Sequence, residues 1–163
     1  MTISIAQILA KYGQNVVADI RSNLRSTGTT TSGKTSNSIN YEITEEGNKI
    51  TLDVYGKPFI WVVETGRGPR KTTQSYGVVQ NIRQWMDQKG VGSQLSDAKK
   101  DSLAKFFTWR INKEGSALFK KGGRKDIISN VITDTLIGKI SIEVINNFVK
   151  SFMDEIEISF KIK

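Results

Sequence analysis

Tyr55-Gly56-Lys57-Pro58-Phe59-Ile60-Trp61-Val62-Val63-Glu64-Thr65-Gly66-Arg67-Gly68-Pro69-Arg70 is the stretch on which a reading of this chain turns. Five apolar residues, Phe59 to Val63, run into a single carboxylate, Glu64, and a Gly-x-Gly-Pro turn follows at once. An apolar run ending on an acid and a forced turn reads as a buried element that delivers a loop to a surface. A run this short fits a third strand or a short helix equally, because periodicity does not separate them. No nucleophile, catalytic base or metal cluster accompanies it in sequence, so it reads as scaffolding for an interface rather than for a reaction.

Upstream, Ile5, Ile8, Tyr12, Val16, Ile20 and Leu24 recur at three- and four-residue steps, which predicts an amphipathic helix over 4–25. Ser4 with Gln7 has the capping-box spacing. The polar segment 26–37 holds no core-forming residue and reads as a loop. Ile39, Tyr41 and Ile43, then Ile50, Leu52 and Val54, alternate with polar residues on either side of Glu46-Gly47-Asn48. That pattern predicts a β-hairpin.

Downstream, 66–77 reads as a second polar loop. Val78, Val79, Ile82, Trp85 and Met86 mark a helix ending near Gly90. Ser96 stands as a cap for another helix, with the stripe Leu103, Phe106, Phe107 and Ile111 and a stop at Gly115. Ile140, Val144, Ile145, Phe148, Val149 and Phe152 line one face of a last helix, opposite Lys139, Glu143, Asn147, Lys150 and Asp154. Ile156, Ser159, Phe160, Lys161 and Ile162 allow a terminal strand. Trp61, Trp85 and Trp109 all fall within apolar patterns and read as core. The expected fold is one α+β domain over 1–163: an N-terminal amphipathic helix, an antiparallel hairpin or small sheet, two to four further helices, and room for a C-terminal strand.

The chain has 163 residues, no cysteine and no histidine. Disulfides and thiolate metal sites are excluded, and the commonest general base and zinc ligand are missing. We therefore expect no enzyme activity, no catalytic residues, no metal site and no cofactor. The formal net charge of +8 suits either an anionic partner or plain solubility. No segment has the apolar length of a membrane helix, and the N-terminus lacks the pattern of a signal peptide. Lys120, Lys121, Arg124 and Lys125 surround Gly122-Gly123 as a basic loop, either facing DNA or a partner or simply solvated.

Gly28-Thr29-Thr30-Thr31-Ser32-Gly33-Lys34-Thr35 matches the phosphate-binding pattern G-x-x-x-x-G-K-[ST]. That loop needs a buried strand before it and a helix after it. Here a helical stripe precedes and an alternating run follows, so the nucleotide reading fails on context. Glu64 reads either as accepting hydrogen bonds from the 65–68 turn or as pairing with a neighbouring subunit. The candidate interface is Glu64, Gly66, Arg67, Gly68 and Arg70.

The element order and the run Trp61-Val62-Val63-Glu64-Thr65-Gly66-Arg67-Gly68 resemble the neck and tail-completion proteins of tailed bacteriophages, which include head–tail joining and minor tail components. A similar segment, Thr31-Ser32-Gly33-Lys34-Thr35-Ser36-Asn37-Ser38-Ile39, stands before the hairpin. The resemblance covers most of residues 1 to 115, with Glu64, Gly66 and Gly68 its sharp residues. Lys57-Pro58 stands where that family often has Tyr-Ala, and Gly122-Gly123-Arg124-Lys125-Asp126-Ile127 where many members carry a Pro-Phe pair. The resemblance implies a non-enzymatic virion subunit, assembled in the host cytoplasm into a homo-oligomeric ring around the DNA channel. Its implied partners are other neck, portal or tail proteins, with non-specific contact to packaged DNA and no membrane. The charge leaves a small basic nucleic-acid-binding protein as the alternative, ahead of a P-loop-like nucleotide-binding protein.

Overall fold

The computed structural model describes residues 3–29, 32–57, 59–70 and 76–161, with side chains described for 77–153 of the last segment. It is an α+β fold. The elements are α1 (Ile5–Ser26), α2 (Lys34–Ser38), β1 (Asn40–Glu46), β2 (Lys49–Tyr55), α3 (Val62–Thr65), α4 (Tyr76–Lys89), α5 (Asp97–Glu114), α6 (Ala117–Lys120) and α7 (Asp134–Lys161).

Helix α1 begins as its sequence dictates. The Ser4 hydroxyl accepts from the Gln7 backbone N–H, and the Gln7 side chain accepts from the Ser4 N–H. Ile8, Val16, Val17, Ile20 and Leu24 are buried along one face. That face lies on the hairpin, whose register runs from Asn40 opposite Tyr55 to Glu46 opposite Lys49. The two-residue turn has Gly47 at φ 58° and a negative φ at Asn48, the pattern of a II′ turn. At Gly13 helix and sheet lie too close for a side chain. A Cβ there would stand 2.5 Å from Tyr41 Cδ2 and 2.9 Å from Leu52 Cδ1.

The core joins Val16, Val17, Ile20, Leu24 and Ile39 to Ile127 and Ile128, with Tyr41, Val54, Ile60, Val63, Val131 and Leu136 packed around them. Ile127 and Ile128, in an irregular segment, thus complete a core that is centred on α1. Helices α4 and α5 pair beside it, burying Met86, Ala104 and Thr108. Arg83 stands between Asp87, Asp97 and Asp101 and ties the two helices at the surface.

Several expectations are corrected. The 26–37 loop contains a helical turn, α2. Gly33 takes φ 71°, the Asn37 N–H closes onto Gly33 O, and Arg21 donates to Ser36 O and Ile39 O. Of the two alternatives left open for Phe59 to Glu64, the short helix holds: 59–61 form a turn, and Val62 to Glu64 lie in α3. Ser96 has N-cap backbone geometry, but its side chain makes no capping bond. No terminal strand forms among the described residues, because α7 continues through Lys161; Ile162 lies outside them. Once an α-helix is running, each added residue needs no new nucleus, and a few alternating residues do not break it. The tryptophans are not core: Trp61, Trp85 and Trp109 are 56%, 43% and 51% exposed. Among the described residues, no helix is long and apolar enough to cross a membrane. Thr30, Thr31 and Pro58, and 71–75 of the second polar loop, lie outside the described residues.

Candidate functional site

Helix α3 is one turn long, and its purpose is visible in Glu64. The carboxylate is buried at 3% exposure. Oε1 accepts the backbone N–H groups of Ile127 (3.0 Å), Ile128 (2.5 Å) and Ser129 (3.0 Å). Oε2 accepts the Ser129 hydroxyl at 2.6 Å. The Glu64 carbonyl accepts the Arg124 N–H at 2.8 Å. One residue therefore gathers the irregular segment 124–129 from both its side chain and its backbone. Burial alone would raise the Glu64 pKa; the Ser129 hydroxyl and the N–H groups of Ile128, Ser129 and Ile127 outweigh it and hold the pKa below the usual carboxylate value.

This corrects both readings of Glu64 from sequence. The 65–68 turn does not donate to it, and three of its N–H groups are engaged elsewhere. Thr65 N–H bonds to Trp61 O, Gly66 N–H to Val62 O, and Arg67 N–H to Ser116 Oγ. The carboxylate does not need a neighbouring subunit either, since its partners belong to its own chain.

The rest of the turn lies against the corner between α5 and α6. Ser116 N–H donates to Arg67 O at 2.8 Å, and Arg70 N–H to Asn112 O at 2.8 Å. Arg67 Nη2 reaches Asn112 Oδ1 at 3.4 Å. Burial, and then the Arg70 charge, lower the Arg67 pKa. Gly66, at φ 73°, is fixed by contact as well as by conformation. A Cβ there would stand 2.3 Å from the Phe119 backbone nitrogen. Gly68 lies over the Phe119 ring.

The candidate interface residues and the candidate basic loop are thus one site. Lys120 ends α6 and pairs with Glu114 at 2.7 Å. Arg124 pairs with Asp126 at 2.6 Å. Lys121 and Lys125 are exposed. Two of the four cations therefore meet acids of their own chain, which leaves a weaker anion-attracting surface than the sequence suggests. Ile127, Ile128 and Ser129 were not singled out from sequence. Their one signal is an apolar pair directly after a polar glycine loop, which marks a point where the loop is anchored.

An open hollow of about 610 Å³ lies between the turn and this loop, lined by Trp61, Gly66, Phe119, Gly123 and Arg124 among others. Phe59, Trp61, Val62 and Phe119 are large apolar side chains left exposed in these same segments. Among the described residues, no group of acids could hold a metal ion. The phosphate-loop match has α1 before it, and only the five-residue α2 follows Gly33. No family model, curated protein or solved structure matches this chain.

Proposed function

We propose that this chain is a structural subunit of a tailed-bacteriophage virion, part of a neck, head–tail connector or tail-completion ring around the DNA channel. The observation that carries the reading is the state of Glu64. The one buried carboxylate of the resembling motif is fully occupied by four donors of its own chain, so it shapes a surface instead of performing chemistry. Around it, Trp61, Val62 and Phe119 offer apolar contact area, and Arg70 and Lys125 a polar rim, the composition of a protein interface. In this reading Glu64 and Gly66 hold the surface in shape, while the neighbouring aromatic residues meet the next subunit. The protein is not an enzyme and takes no cofactor. Its partners are further copies and other neck, portal or tail proteins, and it resides in the virion after assembly in the host cytoplasm.

Negative-stain electron microscopy of the purified protein, together with mass spectrometry of purified virions, tests this. Closed rings of uniform diameter and a virion-borne copy support it. A protein absent from virions that binds nucleic acid with a steep salt dependence would replace it with the nucleic-acid reading.

A further inference from the structure

Helix α7 packs on α1 with its polar side. Glu143 accepts from Lys11 Nζ at 2.9 Å and from the Tyr12 hydroxyl at 2.7 Å, and Asn147 Nδ2 donates to Ile3 O at 2.6 Å. Ile140 and Val144 also turn partly inward. The opposite side is apolar and open. Ile137, Ile142, Ile145, Phe148, Val149, Phe152 and Met153 are each between 51% and 67% exposed.

We propose that this outer face of α7 is a self-association surface, on which the α7 helices of neighbouring copies of this chain pack. Four observations argue for that occupant. The seven side chains present on the order of 800 Å², what one partner gives to a standard interface and more than the ~300–600 Å² of a typical monomer's largest apolar patch. Ile142, Ile145, Val149 and Phe152 follow 3-4-3 spacing, the seam that another helix fills, and β-branched residues hold the positions that favour helix pairing.

Between residues 137 and 153 the arc otherwise contains only Gly138 and Ser141 and carries no charge, although the chain's net charge is +8; Asp134 and Glu155 fall on it at the two ends of the stripe. A neutral face meets its own copy without the like-charge repulsion that the rest of this surface would bring. Finally, Asn147 meets Ile3, just before α1 begins, yet α7 runs on to Lys161, about 21 Å further at 1.5 Å per residue. A helical arm of that length is stabilised by packing, not by propensity.

The arc spans about 160° at 100° per residue, wider than one two-helix seam needs. Each α7 therefore meets two neighbours, and the assembly is larger than a dimer. This inference holds whether or not the protein belongs to a virion.

Sedimentation velocity on the full chain and on the double variant Ile145→Glu/Val149→Glu tests it. The wild type should sediment as an oligomer above dimer. The variant should sediment as a folded monomer, its association weakened at least about 30-fold, the loss of a hot-spot residue. Because the chain has no cysteine, Ile145→Cys supplies a second measurement that does not depend on how the charged variant folds. It should form intersubunit disulfides under mild oxidation, while Lys49→Cys at the exposed hairpin tip should not. A wild type that stays monomeric, whether or not it binds lipid vesicles, overturns the proposal. So does an oligomer that survives the double variant and resists crosslinking at position 145. Rings that persist in that last case would keep the virion reading and remove only α7 from the interface.

Discussion

The segment around Glu64 and the outer face of α7 resolve the same problem in opposite ways. In each, the sequence sets apolar residues beside polar ones that need partners. At Glu64 the demands of the carboxylate and its donors are met inside the chain: Ile127 and Ile128 are buried, and their N–H groups end on the carboxylate. Along α7 the polar demands are met inside, at Glu143 and Asn147, while the apolar residues face outward. The first arrangement is a closed site that stabilises one subunit. The second is open, and its stabilisation comes only when something covers it. Substitutions in the first should therefore change folding, and substitutions in the second should change association.

Glu64→Ala should have the largest effect. It leaves three backbone donors and a hydroxyl without their acceptor, so we expect a loss of about 3–5 kcal/mol in unfolding free energy. Glu64→Gln keeps one acceptor oxygen and should recover more than half of that. Urea unfolding followed by circular dichroism measures both. A Glu64→Ala protein that folds normally but fails to assemble would move this residue from the closed class to the open one.

Gly66→Ala comes next. It forces a side chain into positive φ and against the Phe119 backbone, and should cost about 2–3 kcal/mol. If thermal unfolding shows no loss, the turn is free to move away from α6.

Acid supplies a smaller and graded test. Because the folded-state pKa of Glu64 is lowered, its contribution is fully present at neutral pH, above the ordinary glutamate pKa of about 4.3. It is lost as pH falls from there through the lowered folded-state value. Glu64→Gln should therefore show a flatter stability profile below about pH 4.3 than the wild type. Parallel profiles would mean that other carboxylates account for acid unfolding.

What was legible in the sequence divides along the same line. Helix α1, its capping box and the hairpin could be read because their signals are local: a 3.6-residue stripe, a three-residue spacing and a two-residue turn. The partner of Glu64 could not, because Ile127 to Ser129 lie more than sixty residues away and no local pattern links them. The apolar stripe of α7 was legible as a stripe, but its direction was not. An amphipathic pattern marks two faces and does not say which one the rest of the chain covers. Here the polar face is the one covered, Glu143 by α1 and Asn147 by Ile3 just before it. The same ambiguity explains the exposed tryptophans, which sit in apolar patterns that face outward.

The smallest expected effect is the most discriminating. Phe148 is 67% exposed, so in dilute solution Phe148→Ser should change the unfolding free energy of the subunit by less than about 0.5 kcal/mol. Association stabilises the folded state by mass action, so the wild-type midpoint should rise with protein concentration. In Phe148→Ser that rise should be reduced, and in Ile145→Glu/Val149→Glu it should vanish. Calorimetric scans over a hundredfold range of concentration measure this directly. A Phe148→Ser subunit that loses several kcal/mol even when dilute would mean that this ring is held within its own chain. The outer face of α7 would then belong with Glu64 among the closed regions, and the contrast between the two would disappear.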